Sequence, residues 1–190
     1  MPITREHVFA HWLVRQVHGA RLLPSRAPSS DVPATRIARV VAEVCADCNA
    51  GWMSSLEVAF GRVVFARERT GLIPAPDRAT LSRWFTKTAA LLAYANGAVL
   101  VDGARRSRLR TGMPDGVQVY LARRRRPPQP LDFALDMSSS PGTDVRATGV
   151  TVLVDDVQAR VETEGAASGR GTRLWPLRTH ALRWETLPVV

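Results

Sequence analysis

The apolar positions of this chain follow two different periods on either side of Gly97. Before it, Trp52, Leu56, Phe60, Val63 and Val64 recur at helical spacing, and Leu81, Trp84, Phe85, Thr88, Leu91, Leu92 and Ala95 form a second series. Such spacing gathers each set on one side of a helix, so Trp52, Leu56, Trp84 and Phe85 read as core, whereas Glu57 reads as an exposed helical glutamate. The first helix is expected to run from Asn49 to a stop at Gly71. The second is expected to start at a cap supplied by Asp77 or Thr80 and to stop at Asn96-Gly97. Beyond Gly97 the pattern changes to short β-like runs at 98–101, 117–122, 131–137, 150–154, 157–162 and 173–177, with Gly, Pro, Ser and Asp between them. That alternation predicts a mainly antiparallel sheet.

Ahead of these helices, residues 10–15 carry Trp12 and Leu13 among polar neighbours and predict a short helix. Pro24, Pro28 and Pro33, interspersed with serines, mark 23–34 as a loop. Ile37, Val40, Val41 and Val44 make 36–44 a strand that leaves Cys45 at its end. The fold class is therefore α+β, with an N-terminal unit over 1–71, a helical segment over 72–97 and a mainly β region over 98–190 packed with the first as one unit.

Composition narrows the picture. A chain of 190 residues can bury a core without disulfides. No run approaches the roughly 20 apolar residues of a membrane span, and the first residues lack the pattern of a signal peptide, so a cytoplasmic protein without a membrane partner is expected. Its two cysteines, Cys45 and Cys48, are too close to close a useful loop and are spaced for metal ligation or remain two reduced thiols; a thioredoxin-like pattern is missing. The formal charge of +9 is uneven: residues 1–130 carry 20 Lys/Arg against 9 Asp/Glu, and residues 131–190 carry 6 against 8. A polyanion would therefore meet the first part of the chain. Arg105, Arg106, Arg108 and Arg110, and the run Arg123, Arg124, Arg125 and Arg126, could contact phosphates with their forked guanidinium groups, or simply lie in solvent.

Candidate chemistry lies nearer the start. Phosphodiester hydrolysis needs a base to activate water, a divalent ion to offset charge on the phosphate, and rigid placement of both. Glu6-His7 offers a carboxylate beside an imidazole that titrates near neutrality. The segment from Cys45 to Asn49 offers a staple next to a polar side chain, although Asn49 would equally well cap the helix that follows.

The stretch Thr4-Arg5-Glu6-His7-Val8-Phe9 with Trp12-Leu13, followed by Val44-Cys45-Ala46-Asp47-Cys48-Asn49-Ala50-Gly51-Trp52-Met53-Ser54-Ser55-Leu56-Glu57, resembles bacterial HNH-endonuclease-like proteins. Later pieces, around Trp84, Lys87, Pro114 to Ala122 and Trp175-Pro176, are similar to the same family. The resemblance implies a ββα-metal core at the N-terminus that cleaves nucleic acid, DNA first, with Mg²⁺ or Mn²⁺. On it His7 is the general base, Glu6 a metal ligand or orienting carboxylate, and Asn49 stands at the position of the motif's final His or Asn. Cys45 and Cys48 would bind structural zinc. The family's second Cys-x-x-Cys pair and its middle Asn have no counterpart here before Cys45, so the expectations are a recorded start that is too late, recruitment of His11 or His18 to the zinc shell, or loss of zinc. The other expectation is a catalytically degenerate HNH-fold protein that binds nucleic acid or another partner.

Overall fold

The structure, a computed structural model, describes residues 2–19, 40–66, 73–124, 130–138, 145–163 and 186–187. The loop expected over 23–34, the strand expected over 173–177, and Arg125 and Arg126 lie outside them. Strand β1 (Ile3–His7) pairs antiparallel with β2 (Val41–Cys45), placing Glu6 opposite Ala42 and His7 opposite Val41. Two further bonds extend the ladder: Val8 donates its N–H to Val40 O at 2.9 Å, and Ala46 to Pro2 O at 3.1 Å. Cys45 ends β2, as the apolar run before it predicts. After β1 the chain bends through Val8 and Phe9, both buried, into helix α1 (His11–His18), whose Leu13 and Val14 join the core.

From Cys45 the chain enters a helical turn, Ala46–Cys48, then a π-helical stretch, Asn49–Met53, and finally α2 (Ser54–Val64). The kink falls at Gly51, with φ −94° and ψ −108°, where a π-type turn interrupts the regular ladder. Leu56, Phe60 and Val64 are one helical turn apart and buried. The helix ends at Val64, short of the expected Gly71, with Phe65 as its C-cap.

Helix α3 (Ala75–Ala95) starts earlier than Asp77 or Thr80 would allow as caps. Pro74 is the N-cap, and Pro76 occupies the first turn, where its missing N–H costs nothing. Asp77 instead lies in that first turn, where its charge complements the helix dipole. The end at Asn96 and Gly97 (φ 74°) is as expected. α3 packs against α2 and β2 on one side and against strands of the larger sheet on the other. Covered twice, it is buried continuously from Trp84 to Ala90. The single stripe read from the sequence is therefore too narrow on one side and too generous on the other, since Thr86, Lys87 and Ala93 are buried and Ala95 is exposed. The rings of Phe60 and Trp84 stack at 3.6 Å, with Phe85 edge-on to both. Contacts of this kind add about 0.5–1.5 kcal/mol per pair to the burial of the rings.

The larger sheet has the strand order β4-β5-β6-β3-β7. Strands β3 (Val117–Arg124), β4 (Leu131–Ser138), β5 (Arg146–Val154) and β6 (Val157–Thr163) are antiparallel, and the two residues of β7 (Thr186–Leu187) lie parallel to β3. Asp155, at φ 55°, allows a two-residue connection between β5 and β6. Residues 98–101 do not form the expected strand. Among the described residues Val99 makes one bridge, to Arg146, while Ala98, Leu100 and Val101 are buried. A short helix absent from the sequence reading, α4 (Gly103–Arg108), is capped by Asp102, which accepts from the Arg105 N–H at 2.8 Å. One hydrophobic core runs from Val8 to Val161 through both sheets and α3, and the class is α+β. Among the described residues no helix is long and apolar enough to cross a membrane.

Candidate functional site

Pairing of β1 with β2 decides what the helical segment meets. Because Cys45 lies opposite Ile3 and the chain turns at once into a helix, the next residues fold back over the end of β1. Asn49 reaches Glu6 in this way: its side-chain amide donates to Glu6 Oε2 at 2.7 Å. The helix does not need Asn49 as a cap. It begins at Ala46, and the Cys45 thiol caps it by accepting the Cys48 N–H at 3.0 Å, while Asn49 is helical at φ −64° and ψ −55°. Starting the helix at the cysteines rather than after them frees the amide for the carboxylate.

Glu6, His7 and Asn49 border one cavity of about 360 Å³, and Glu57 and Lys87 border it too. Trp12, Met53, Val58 and Leu91 supply apolar wall. The Trp12 indole, 38% exposed, is seated directly on α2 at Gly61, where a Cβ would stand 2.9 Å from the ring. Phe65 meets the same ring edge-on at 6.2 Å. His7 is half-buried, and its ring centre lies 4.3 Å from that of His11. The cavity thus combines a carboxylate, an amide, an imidazole and an ion pair with a partly exposed aromatic face.

Glu57 is not the exposed glutamate the sequence suggests. Its Oε1 accepts from the Trp84 indole N–H at 2.8 Å and from the Lys87 ammonium, and its side chain is 13% exposed. Lys87 lies beside the apolar stripe read from the sequence and not in it, so only the burial of α3 on a second side shows that its charge needs a carboxylate partner.

Cys45 and Cys48 are half-buried free thiols close to, and not among, the residues bordering the cavity. The Cys48 thiol is pushed up, chiefly because its hydrogen bond with Cys45 favours the protonated form and secondarily by burial. Structural zinc takes four protein ligands. Among the described residues no group of three or more His, Cys, Asp or Glu side chains is placed to hold a metal ion. His11 lies beside His7, and His18 sits at the far end of α1, its imidazole pushed down by burial. Neither completes a set with the cysteines, so the described residues do not fit a closed zinc site. The same holds for a hard divalent ion: magnesium keeps several waters and is commonly held by one or two carboxylates, and Glu6, beside Asn49, brings one carboxylate to this part of the cavity.

Arg105, Arg106 and Arg108 are exposed on α4. The segment that follows is tied down by Arg83, which donates to Leu109 O and Arg110 O at 2.8 Å. Arg123 and Arg124 are the last residues of β3, where Arg123 pairs with Val157 of β6. Arg105, Arg106 and Arg108 do not border the cavity. No protein-family model, curated protein or solved structure matches this chain.

Proposed function

We propose that the cavity bordered by Glu6, His7 and Asn49 is the catalytic site of an HNH-type, metal-dependent endonuclease that hydrolyses DNA phosphodiester bonds. The observation that carries this reading is the Asn49 to Glu6 hydrogen bond, made by residues 43 positions apart next to His7. The antiparallel pair β1 and β2 with a helix directly after β2 gives further support, these being the parts of a ββα-metal core, and α1 is inserted between the two strands. Glu6 and Asn49 would hold a Mg²⁺ or Mn²⁺ ion, which when bound offsets the negative charge of the phosphate.

His7 accepts the proton of a water as its oxygen forms a bond to phosphorus and the bond to the leaving sugar oxygen breaks. A neutral imidazole suits this, since its unprotonated ring nitrogen is a proton acceptor. Asn49 fixes the Glu6 carboxylate, so the donor set is organised before substrate arrives. Arg105 and Arg106 on α4, with Arg123 to Arg126, would meet the DNA backbone through phosphate contacts that position a duplex without reading its bases. A second reading is an HNH-fold protein that binds nucleic acid without cleaving it. One carboxylate and one amide make a thin ligand shell, and this favours that reading.

Supercoiled plasmid incubated with the purified protein and Mg²⁺ or Mn²⁺ separates the two. Nicking that EDTA stops supports the nuclease. No metal-dependent cleavage of supercoiled, linear duplex or single-stranded DNA removes it and leaves the binding protein.

A further inference from the structure

The cavity holds a cation that the proposed hydrolysis does not use. Lys87 is the only lysine among 26 basic residues of the chain. It lies where α3 is covered on both sides and is 4% exposed, yet it borders the same cavity as Glu6, His7 and Asn49. Its ammonium donates to Glu57 Oε1 and stands 5.3 Å from the centre of the Trp84 ring. The indole N–H of Trp84 donates to that same oxygen, so Glu57 is fixed from two directions. Its other oxygen, Oε2, is buried and has no hydrogen-bond partner among the described residues.

Stability alone is a poor reason for this arrangement. Desolvation offsets most of the attraction in a buried pair, and apolar side chains of the same volume would commonly do as well. A buried carboxylate oxygen without a partner adds to the cost. Ionisable groups kept in such a setting on the wall of a cavity are where ligands are bound.

The chemistry of the ligand follows from the donors. An ammonium has three N–H groups, and among the described residues Glu57 meets one of them. Unlike the guanidinium fork carried by every other basic residue here, it is a compact point charge, which suits a single oxygen in a confined space. Glu57 and Trp84 hold it beside the cavity that also contains the candidate base. We infer that Lys87 is a phosphate-binding residue, its ammonium held by Glu57 and directed at a non-bridging oxygen of a phosphodiester in the cavity. This rests on the reading of the cavity as a phosphodiester site, and Glu57 acts through Lys87 as a positioning residue.

Having one lysine makes the test direct. In the full chain grown with ¹³C-lysine, the Cε–Hε signal reports Lys87 alone. Titration with a thymidine dinucleotide, which has one phosphodiester, is expected to move that signal saturably, whereas thymidine and sodium chloride at equal ionic strength leave it in place. Lys87→Met combined with Glu57→Gln replaces the pair with neutral side chains of similar size and is expected to weaken dinucleotide binding roughly 10- to 100-fold, the effect of losing one charged hydrogen bond. Lys87→Arg is expected to recover only part of it. A signal that stays fixed while fluorescence anisotropy shows bound oligonucleotide overturns the inference, as does a folded double variant with unchanged affinity. A saturable shift in a protein that nicks no plasmid supports Lys87 as a phosphate ligand and removes only the nuclease.

Discussion

The side-chain amide of Asn49 lies 2.7 Å from Glu6 Oε2 and ties the first helical turns to the end of β1. In Asn49→Asp a donor becomes a second carboxylate at hydrogen-bond distance from the first. Losing a hydrogen bond to a charged group and adding a like charge should together cost roughly 1–3 kcal/mol at neutral pH. A divalent ion between the two carboxylates would offset this, so the variant should melt well below wild type in EDTA and recover in millimolar Mg²⁺ or Mn²⁺. Equal melting temperatures in both conditions would show that no ion is held there.

Much of the architecture follows from local pattern. Strands 117–122, 131–137 and 157–162 and the end of α3 were legible because apolar alternation and turn residues act over a few positions. What the sequence does not disclose depends on tertiary cover. α3 reads as one apolar stripe, yet it is buried between α2 and the sheet, and this is why Lys87 and Glu57 meet inside. Residues 98–101 have the composition of a strand and find one bridge among the described residues. Glu6, His7 and Asn49 were singled out as residues, but their convergence is set by the β1–β2 register and by a thiol taking the capping position, neither of which local propensity encodes.

His18 gives the protein a pH dependence with a definite sign. Burial pushes its imidazole down, and its Nε2 is buried without a partner among the described residues. The unfolded chain therefore takes up a proton first. The neutral ring favours the native state above about pH 6.5, and that contribution is lost as the pH falls below it toward the lower folded-state value. Urea unfolding at pH 7.5 and 5.5 should show a larger loss for wild type than for His18→Gln. Parallel losses would mean that His18 titrates freely in the fold.

Non-specific DNA binding should be dominated by counterion release. Arg105, Arg106 and Arg108 are exposed, and the ion pair of Arg105 with Asp102 at 3.6 Å is itself exposed. An exposed pair of this kind contributes under about 1 kcal/mol and leaves the guanidinium free to meet a phosphate. Affinity should be roughly micromolar or weaker and should fall steeply with salt. Each phosphate contact removed by Arg105→Gln, Arg106→Gln or Arg108→Gln should lower the slope of log K against log salt by about 0.9. An unchanged slope in the triple variant would move the interface elsewhere, and the corresponding change at Arg123 to Arg126 tests the other basic segment.

The chemical step should separate from binding at two adjacent residues. If His7 takes the proton of the attacking water, His7→Ala should slow metal-dependent nicking roughly 10²–10⁴-fold, the usual contribution of a positioned base. Binding should change little, because His7 is half-buried at the cavity, whereas the exposed cations Arg105, Arg106 and Arg108 and the buried Lys87 are all retained in the variant. Glu6→Ala removes a carboxylate ligand and releases Asn49 from its partner, so it should raise the Mg²⁺ or Mn²⁺ concentration required for half-maximal rate. Metal titrations of nicking, run beside anisotropy with the same DNA, distinguish the two effects. A His7→Ala variant as fast as wild type would take the base away from His7 even if cleavage were real. A Glu6→Ala variant with an unchanged metal requirement would place the ion away from Glu6.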